Sequence, residues 1–197
     1  MASFAELVAD VYTITNRPDL VAETKLAVKA ATLKAHQSDF YPKDIFETGI
    51  LWNPIGYQQS LDYRTLIPRW RAFKYLRKYD STGATPGDFF NILTPEQTID
   101  SYGVNRDNVC YVAGEQLEIR SSTEDTYMLL SCYVHPIVDE NTYSSWIALD
   151  HPYAIVYEAV SKIFKTIGWD EQAAQMQREV AEQFALLRNS NILAQGY

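Results

Sequence analysis

The sequence predicts an α+β protein whose N- and C-terminal helices form a bundle around an inserted, antiparallel β-rich middle. Three observations carry this. Apolar residues recur at helical spacing over residues 3–36 and again over 150–189. Between about 43 and 136 the apolar residues come instead in short runs, separated by Asn, Gly and Pro turns. Both helical ends are amphipathic, so each needs a partner, and the economical solution packs one on the other.

The first helix opens with Ser3-Phe4-Ala5-Glu6, a capping box in which Ser3 and Glu6 satisfy each other's amides. Phe4, Leu7, Val8 and Val11 follow as its apolar face, and the turn residues Asn16-Arg17-Pro18-Asp19 stop it near Thr15. A second helix is expected from Leu20 to His36, with Ala22, Leu26, Ala30 and Leu33 as its buried stripe and Lys25, Lys29 and Lys34 on other faces. The pair reads as an αα-hairpin.

Beyond Phe40-Tyr41-Pro42 the chain turns extended. Ile45 to Trp52 and Tyr57 to Tyr63 are candidate strands joined by Asn53-Pro54-Ile55-Gly56. Arg69 to Tyr79 mixes rings and bases, and residues 82–87 read as a loop. Thr94-Pro95-Glu96 starts a short helix that ends near Tyr102-Gly103. Val109 to Val112, Gln116 to Arg120 and Tyr127 to Val134 complete the strands, the first two joined tightly through Ala113-Gly114-Glu115.

Helix returns with a short piece at Ser144 to Leu149. A strong helix then opens at Asp150-His151-Pro152, has Ile155, Val156, Ala159, Val160, Ile163, Phe164 and Ile167 as its stripe, and closes at Gly168. Asp170 caps the last helix, whose buried face is Ala173, Met176, Val180, Phe184 and Leu187. Residues 1–189 thus read as one domain, and Ser190 to Tyr197 as a tail unsupported by it.

A chain of 197 residues can bury a core without disulfide or metal. Its 47% hydrophobic and 21% charged residues exclude global disorder. The 14 Tyr, 8 Phe and 4 Trp suit half-buried surfaces and interfaces, or simply strands. A net charge of −8 disfavours free wrapping of nucleic acid, where affinity comes from neutralising phosphates. Cys110 and Cys132 are two thiols in apolar runs, read as buried and reduced. Met1 to Asp10 has no basic stretch followed by an apolar block, so no signal peptide is expected, and no apolar run of about 18 residues offers a membrane span.

The sequence carries few of the patterns that catalysis or metal binding needs. His36, His135 and His151 have no second ligand at metal spacing on their own elements, so no metal or other cofactor is expected. Cys132 and His135, three apart on a strand, point to opposite faces and cannot act as nucleophile and base. No phosphate loop, dinucleotide fingerprint or nucleophile elbow occurs. The acid pairs Glu124-Asp125 and Asp139-Glu140 read as solvated turns. No catalytic residue is assigned, and the chain is not expected to be an enzyme.

One charge cluster stands out. Arg64, Arg69, Arg71, Lys74, Arg77 and Lys78 fall within fifteen residues without an acid, interleaved with Tyr63, Trp70, Phe73, Tyr75 and Tyr79. Such a mixture serves protein interfaces, single-stranded nucleic acid, or merely a solvated strand whose bases offset acids on its neighbour. Arg69, Trp70, Arg71, Lys74 and Arg77 are its candidate contact residues.

The layout also resembles a family. It runs from Asn16-Arg17-Pro18-Asp19-Leu20 through Lys34-Ala35-His36-Gln37-Ser38-Asp39-Phe40 to Leu66-Ile67-Pro68-Arg69-Trp70-Arg71 and Tyr75-Leu76-Arg77. Then come Tyr111-Val112-Ala113-Gly114, Ile119-Arg120-Ser121-Ser122 and Pro152-Tyr153-Ala154-Ile155-Val156-Tyr157-Glu158-Ala159. In this order the segments are similar to the head-to-tail adaptor (connector) proteins of tailed bacteriophages. The resemblance implies a helical bundle with a β insertion and a ring, usually of twelve copies, between the portal protein and the tail or nozzle protein. It implies residence in the virion neck, with double-stranded DNA passing through the channel without sequence specificity, and no membrane. It makes Ser190 to Tyr197 a docking arm, with Ile192, Leu193 and Tyr197 as candidate contacts. The alternatives are another tail-completion or neck protein, and a nucleic-acid-binding module built on residues 64–78.

Overall fold

The computed structural model describes residues 3–53, 58–79, 85–98, 107–121 and 127–194. The class is mixed α+β, with helices at both ends and two four-stranded sheets between them. The chain divides into two compact units: residues 1–44 with 135–197, and residues 45–134.

The first unit is helical. Helix α1 (Phe4–Thr15) carries the expected capping box, Ser3 Oγ accepting from the Glu6 amide at 3.2 Å while the Ser3 amide donates to Glu6 Oε2 at 2.7 Å. It ends on Asn16, whose φ of 51° is left-handed, a conformation Asn tolerates. Helix α2 (Val21–Gln37) follows. Its buried face is Thr24, Ala27, Val28, Ala31, Thr32 and Ala35, not the stripe the sequence predicts: Ala22 and Leu26 point to solvent, and Leu26 is 69% exposed. Small residues let α2 lie close to its neighbours.

Helix α3 (Tyr63–Leu66) belongs to the second unit. Here α4 (Trp146–Asp150) is capped by Ser145, and α5 (Pro152–Thr166) begins with Pro152 in its first turn. Helix α5 buries Ala154, Ile155, Val156, Ala159, Val160, Ile163 and Phe164, and packs against α1, α2 and α4. Gly168 (φ 77°) turns the chain into α6 (Asp170–Ala194), which also packs on α5. Asp170 is the first helical residue of α6 and not its cap; with Glu171 it places negative charge at the positive end of the helix. Helix α6 runs past the expected end at Asn189, because Asn191 continues the face of Leu187: it is buried and donates to Asp39 Oδ2 at 3.1 Å.

The second unit is a sandwich. One sheet has the order β1-β8-β3-β4, from Ile45–Leu51 (β1), Tyr127–Val134 (β8), Trp70–Tyr79 (β3) and Pro86–Phe89 (β4). The other is β2-β7-β6-β5, from Gln58–Asp62 (β2), Gln116–Arg120 (β7), Val109–Ala113 (β6) and Asn91–Ile92 (β5). Their inner faces share one core: Ile50, Leu76, Met128, Leu130 and Cys132 from the first sheet meet Cys110, Leu117 and Ile119 from the second. Gly114 (φ 61°) closes the expected β6–β7 hairpin. The strand expected through Tyr63 stops at Asp62, because the Asp62 carboxylate accepts the amides of Arg64 and Thr65 and starts the single helical turn α3 (Tyr63–Leu66). Strand β4 takes in Pro86 and Gly87, the end of the expected loop, β5 falls where no element was expected, and the helix expected from Thr94 opens as a 3-10 turn, Pro95–Thr98. The turn at 54–56, Tyr57, the loop residues 82–84 and the expected helix end near Tyr102-Gly103 lie outside the described residues, as does Glu124-Asp125.

Candidate protein interface

The two sheets differ on their outer faces. That of the β2-β7-β6-β5 sheet is polar: Ser60 donates to Glu118 at 2.7 Å and to Gln116 at 3.2 Å, and Gln58 donates to Glu118 at 3.1 Å. That of the β1-β8-β3-β4 sheet is apolar and aromatic. Register places Gly49, Leu129, Arg77 and Phe89 in one row across all four strands, and Leu51, Tyr127 and Tyr79 in another. Leu51 is 58% exposed, Phe89 54% and Tyr127 41%. Gly49, Tyr79, Tyr127 and Leu129 line a hollow of about 230 Å³. A large apolar patch left uncovered on a folded protein marks an interaction site.

The cations of the 64–78 segment do not form one basic stripe. Two β-bulges in β3 break its alternation. Lys74 and Arg77 belong to the aromatic face: Lys74 Nζ lies 5.6 Å from the Tyr75 ring and 5.9 Å from that of Tyr133, and the Arg77 guanidinium 4.9 Å from that of Phe89. Arg77 Nε also donates to the Gly87 carbonyl at 2.9 Å. Lys78 turns inward instead, is buried, and sits 5.5 Å over Phe90. Arg64 pairs with Glu115 at 3.2 Å. Trp70 stacks on Tyr63 at 4.3 Å and packs against the sandwich core. Arg69 is exposed just before β3, and Arg71 is half-buried.

Among the described residues, one acid lies on the aromatic face. Glu47 accepts from the Tyr75 hydroxyl and, at 3.3 Å, from Ser131. The carboxylate beside it raises the Tyr75 phenol above its ordinary pKa, with burial adding to the effect. Of the expected tail contacts, Ile192 is exposed on α6, Leu193 falls in its last turn, and Tyr197 lies outside the described residues.

The fold also assembles a group that sequence spacing gave no sign of. His36 Nδ1 lies 2.7 Å from Asp44 Oδ1, His36 Nε2 lies 2.9 Å from Ser145 Oγ, and Trp146 Nε1 donates to the same Asp44 oxygen at 2.7 Å. The acceptor Asp44 sets the tautomer: Nδ1 carries the proton, and Nε2 accepts from Ser145. The order Ser–His–Asp is that of a hydrolase triad. All three residues are buried, and Ser145 Oγ is already taken by the Ala148 amide at 3.2 Å. The adjoining cleft of about 270 Å³ is lined by Tyr41, Lys43, Trp146, His151 and Asn191 among others, and by neither Ser145 nor His36. A nucleophile with both hydrogen-bond roles filled and no cleft before it has nowhere to hold an acyl group. What the network does is join the end of α2 to the start of α4.

Among the described residues no three His, Cys, Asp or Glu side chains are grouped to hold a metal, and no helix is long and apolar enough to cross a membrane. A scan against protein-family models found no match, and a search of curated proteins found no relative.

Proposed function

We propose that this chain is a structural subunit of a larger protein assembly, of the head-to-tail adaptor kind found in tailed bacteriophages. The observation that carries the reading is the outer face of the β1-β8-β3-β4 sheet. It leaves Leu51, Phe89 and Tyr127 to solvent around two cations, Lys74 and Arg77, for which no carboxylate partner stands among the described residues. A helical unit with its own core and a β unit with an uncovered face suit a part that other chains complete. In this reading the chain joins other copies as a ring, usually of twelve, between portal and tail or nozzle protein in the virion neck, and DNA passes without being read.

The aromatic and basic residues of 64–78 also invite a nucleic-acid reading, and the scatter of their cations favours protein. Lys78 is inside, Arg64 is paired, and Glu47 sits on the face that Lys74 and Arg77 share. A phosphate backbone needs cations in a continuous track.

The test is to mix the purified chain with the portal protein of the same genome and to weigh the products by mass photometry, with electron microscopy of any ring; a genome without a portal gene counts against the reading. A ring of this chain seated on the portal is the expected result. A chain that binds neither portal, tail protein nor itself overturns the reading, and salt-dependent DNA binding abolished by replacing Arg69 and Arg71 would favour the nucleic-acid module.

A further inference from the structure

We propose that the outer face of the β1-β8-β3-β4 sheet receives the turn between α1 and α2 of a second copy of this chain, an inference that rests on the subunit reading above. The two surfaces are complementary in charge and in apolar shape. In a chain with 25 acids and 17 bases, the face holds Lys74 and Arg77 over aromatic rings with no carboxylate on either among the described residues. Glu47, the acid on this face among the described residues, is occupied by Tyr75 and Ser131. A partner that covers this face must bring carboxylates, because a cation desolvated beside apolar surface without a counter-charge is costly.

The α1–α2 hairpin has the matching character. Residues 3–24 contain Glu6, Asp10, Asp19 and Glu23 and one base, Arg17, which Asp19 closes off with two hydrogen bonds at 2.8 and 2.7 Å. Glu6 is spent in the capping box, whereas Asp10 and Glu23 are exposed and have no hydrogen-bond or ion-pair partner among the described residues. Beside them, on either side of the turn, Ile14 and Val21 are exposed.

The hollow beside Arg77 offers the apolar half of the fit. It lies over Gly49, where an added Cβ would meet nothing within 4 Å, and Tyr79, Tyr127 and Leu129 form its walls. Ile14 or Val21 fills it, while Asp10 and Glu23 meet Lys74 and Arg77. The two surfaces are different patches of the same chain, so the contact is heterologous. Repeated, it leads from copy to copy and closes into a ring when the rotation allows, where an isologous contact would stop at a dimer.

The test uses the full chain with its portal. Lys74→Glu with Arg77→Glu, and separately Asp10→Lys with Glu23→Lys, should each lower ring assembly at least tenfold. The four changes together should restore it, since the charges are then exchanged and not lost. A photo-crosslinking residue at Phe89 in the otherwise unchanged chain should be captured by residues 10–23 of a neighbouring copy, and this second measurement holds if a charge variant fails to fold. Charge-reversed rings that assemble normally, or a Phe89 crosslink to portal, tail protein or nucleic acid, overturn this inference and leave the subunit reading standing. An unmodified chain that forms no multimer with any partner overturns both.

Discussion

Lys34 of α2 reaches Glu158 of α5 at 2.7 Å, and Glu158 is only 2% exposed. Lys162 lies 3.4 Å from the other carboxylate oxygen, and Gln177 of α6 donates to the same oxygen as Lys34 at 3.3 Å. One buried charge is therefore held by three elements of the bundle. Lys34→Ala should destabilise the protein by about 1–3 kcal/mol. That is less than the ~3–5 kcal/mol lost when a fully buried pair is broken, because Lys34 is half in solvent and Lys162 stays. Urea unfolding followed at 222 nm measures it, and no loss of stability would show that Glu158 does not need Lys34.

Asp44 anchors a buried donor, His36 Nδ1–H, and a half-buried one, Trp146 Nε1–H. Asp44→Ala leaves both without that acceptor; the buried His36 donor costs about 1–3 kcal/mol, and the half-buried Trp146 donor less. The loss should appear as a lower melting temperature with a changed Trp146 emission. In the intact protein Ser145 should stay unlabelled by a fluorophosphonate probe at any pH at which the fold survives. Labelling that disappears with Ser145→Ala would reveal a catalytic serine.

Burial pushes the Cys110 thiol up to about 12 and the Cys132 thiol to about 11, from an ordinary value of 9.0. Neither should react with a disulfide reagent at pH 8 in the folded protein, and both should react after denaturation. The linkage follows. Above pH 9 the unfolded chain releases thiol protons that the folded chain keeps, so stability is full below pH 9 and falls as pH rises through 11 towards 12. Tyr41 and Tyr143, also raised chiefly by burial, act in the same direction. Denaturant midpoints at pH 8, 9.5 and 10.5 test the sign, and a midpoint that rises with pH contradicts it.

The two faces of α2 give a sharp comparison. Val28 is fully buried and Leu26 largely exposed. Val28→Ala should cost about 1–3 kcal/mol through the cavity it leaves. Leu26→Gln should stay within about 0.5 kcal/mol, as surface changes do. Equal costs would mean that the sequence-derived stripe was the buried one after all.

Local rules made much of the fold legible. Ser3 and Glu6 specify their cap within four residues, and the stripe from Ile155 to Phe164 matches helical spacing so closely that α5 emerges as the bundle's central helix. Helix α2 itself was legible, but its buried face was not, because Ala22, Leu26, Ala30 and Leu33 repeat at helical spacing as well as Thr24, Ala27, Val28 and Ala31 do. With apolar residues on both sides, periodicity cannot choose, and the choice fell to the face small enough for close packing. The aromatic-basic segment was legible as a candidate. Which of its residues face out was not, because the two bulges in β3 turn Phe73 inward and Lys74 outward, against the alternation that links Trp70, Leu76 and Lys78.

The sequence by itself determined the α+β class, the helical ends, the β6–β7 hairpin and the thiols' burial, since each depends on residues that are neighbours in the chain. Only the tertiary structure decided that His36, Asp44 and Ser145 meet, and that Leu51, Phe89 and Tyr127 share one uncovered face. The reason is distance along the chain. Propensity and periodicity act over a few residues, whereas a contact between residues 36 and 145, or a row through four strands, exists only once strand register and helix packing have been set.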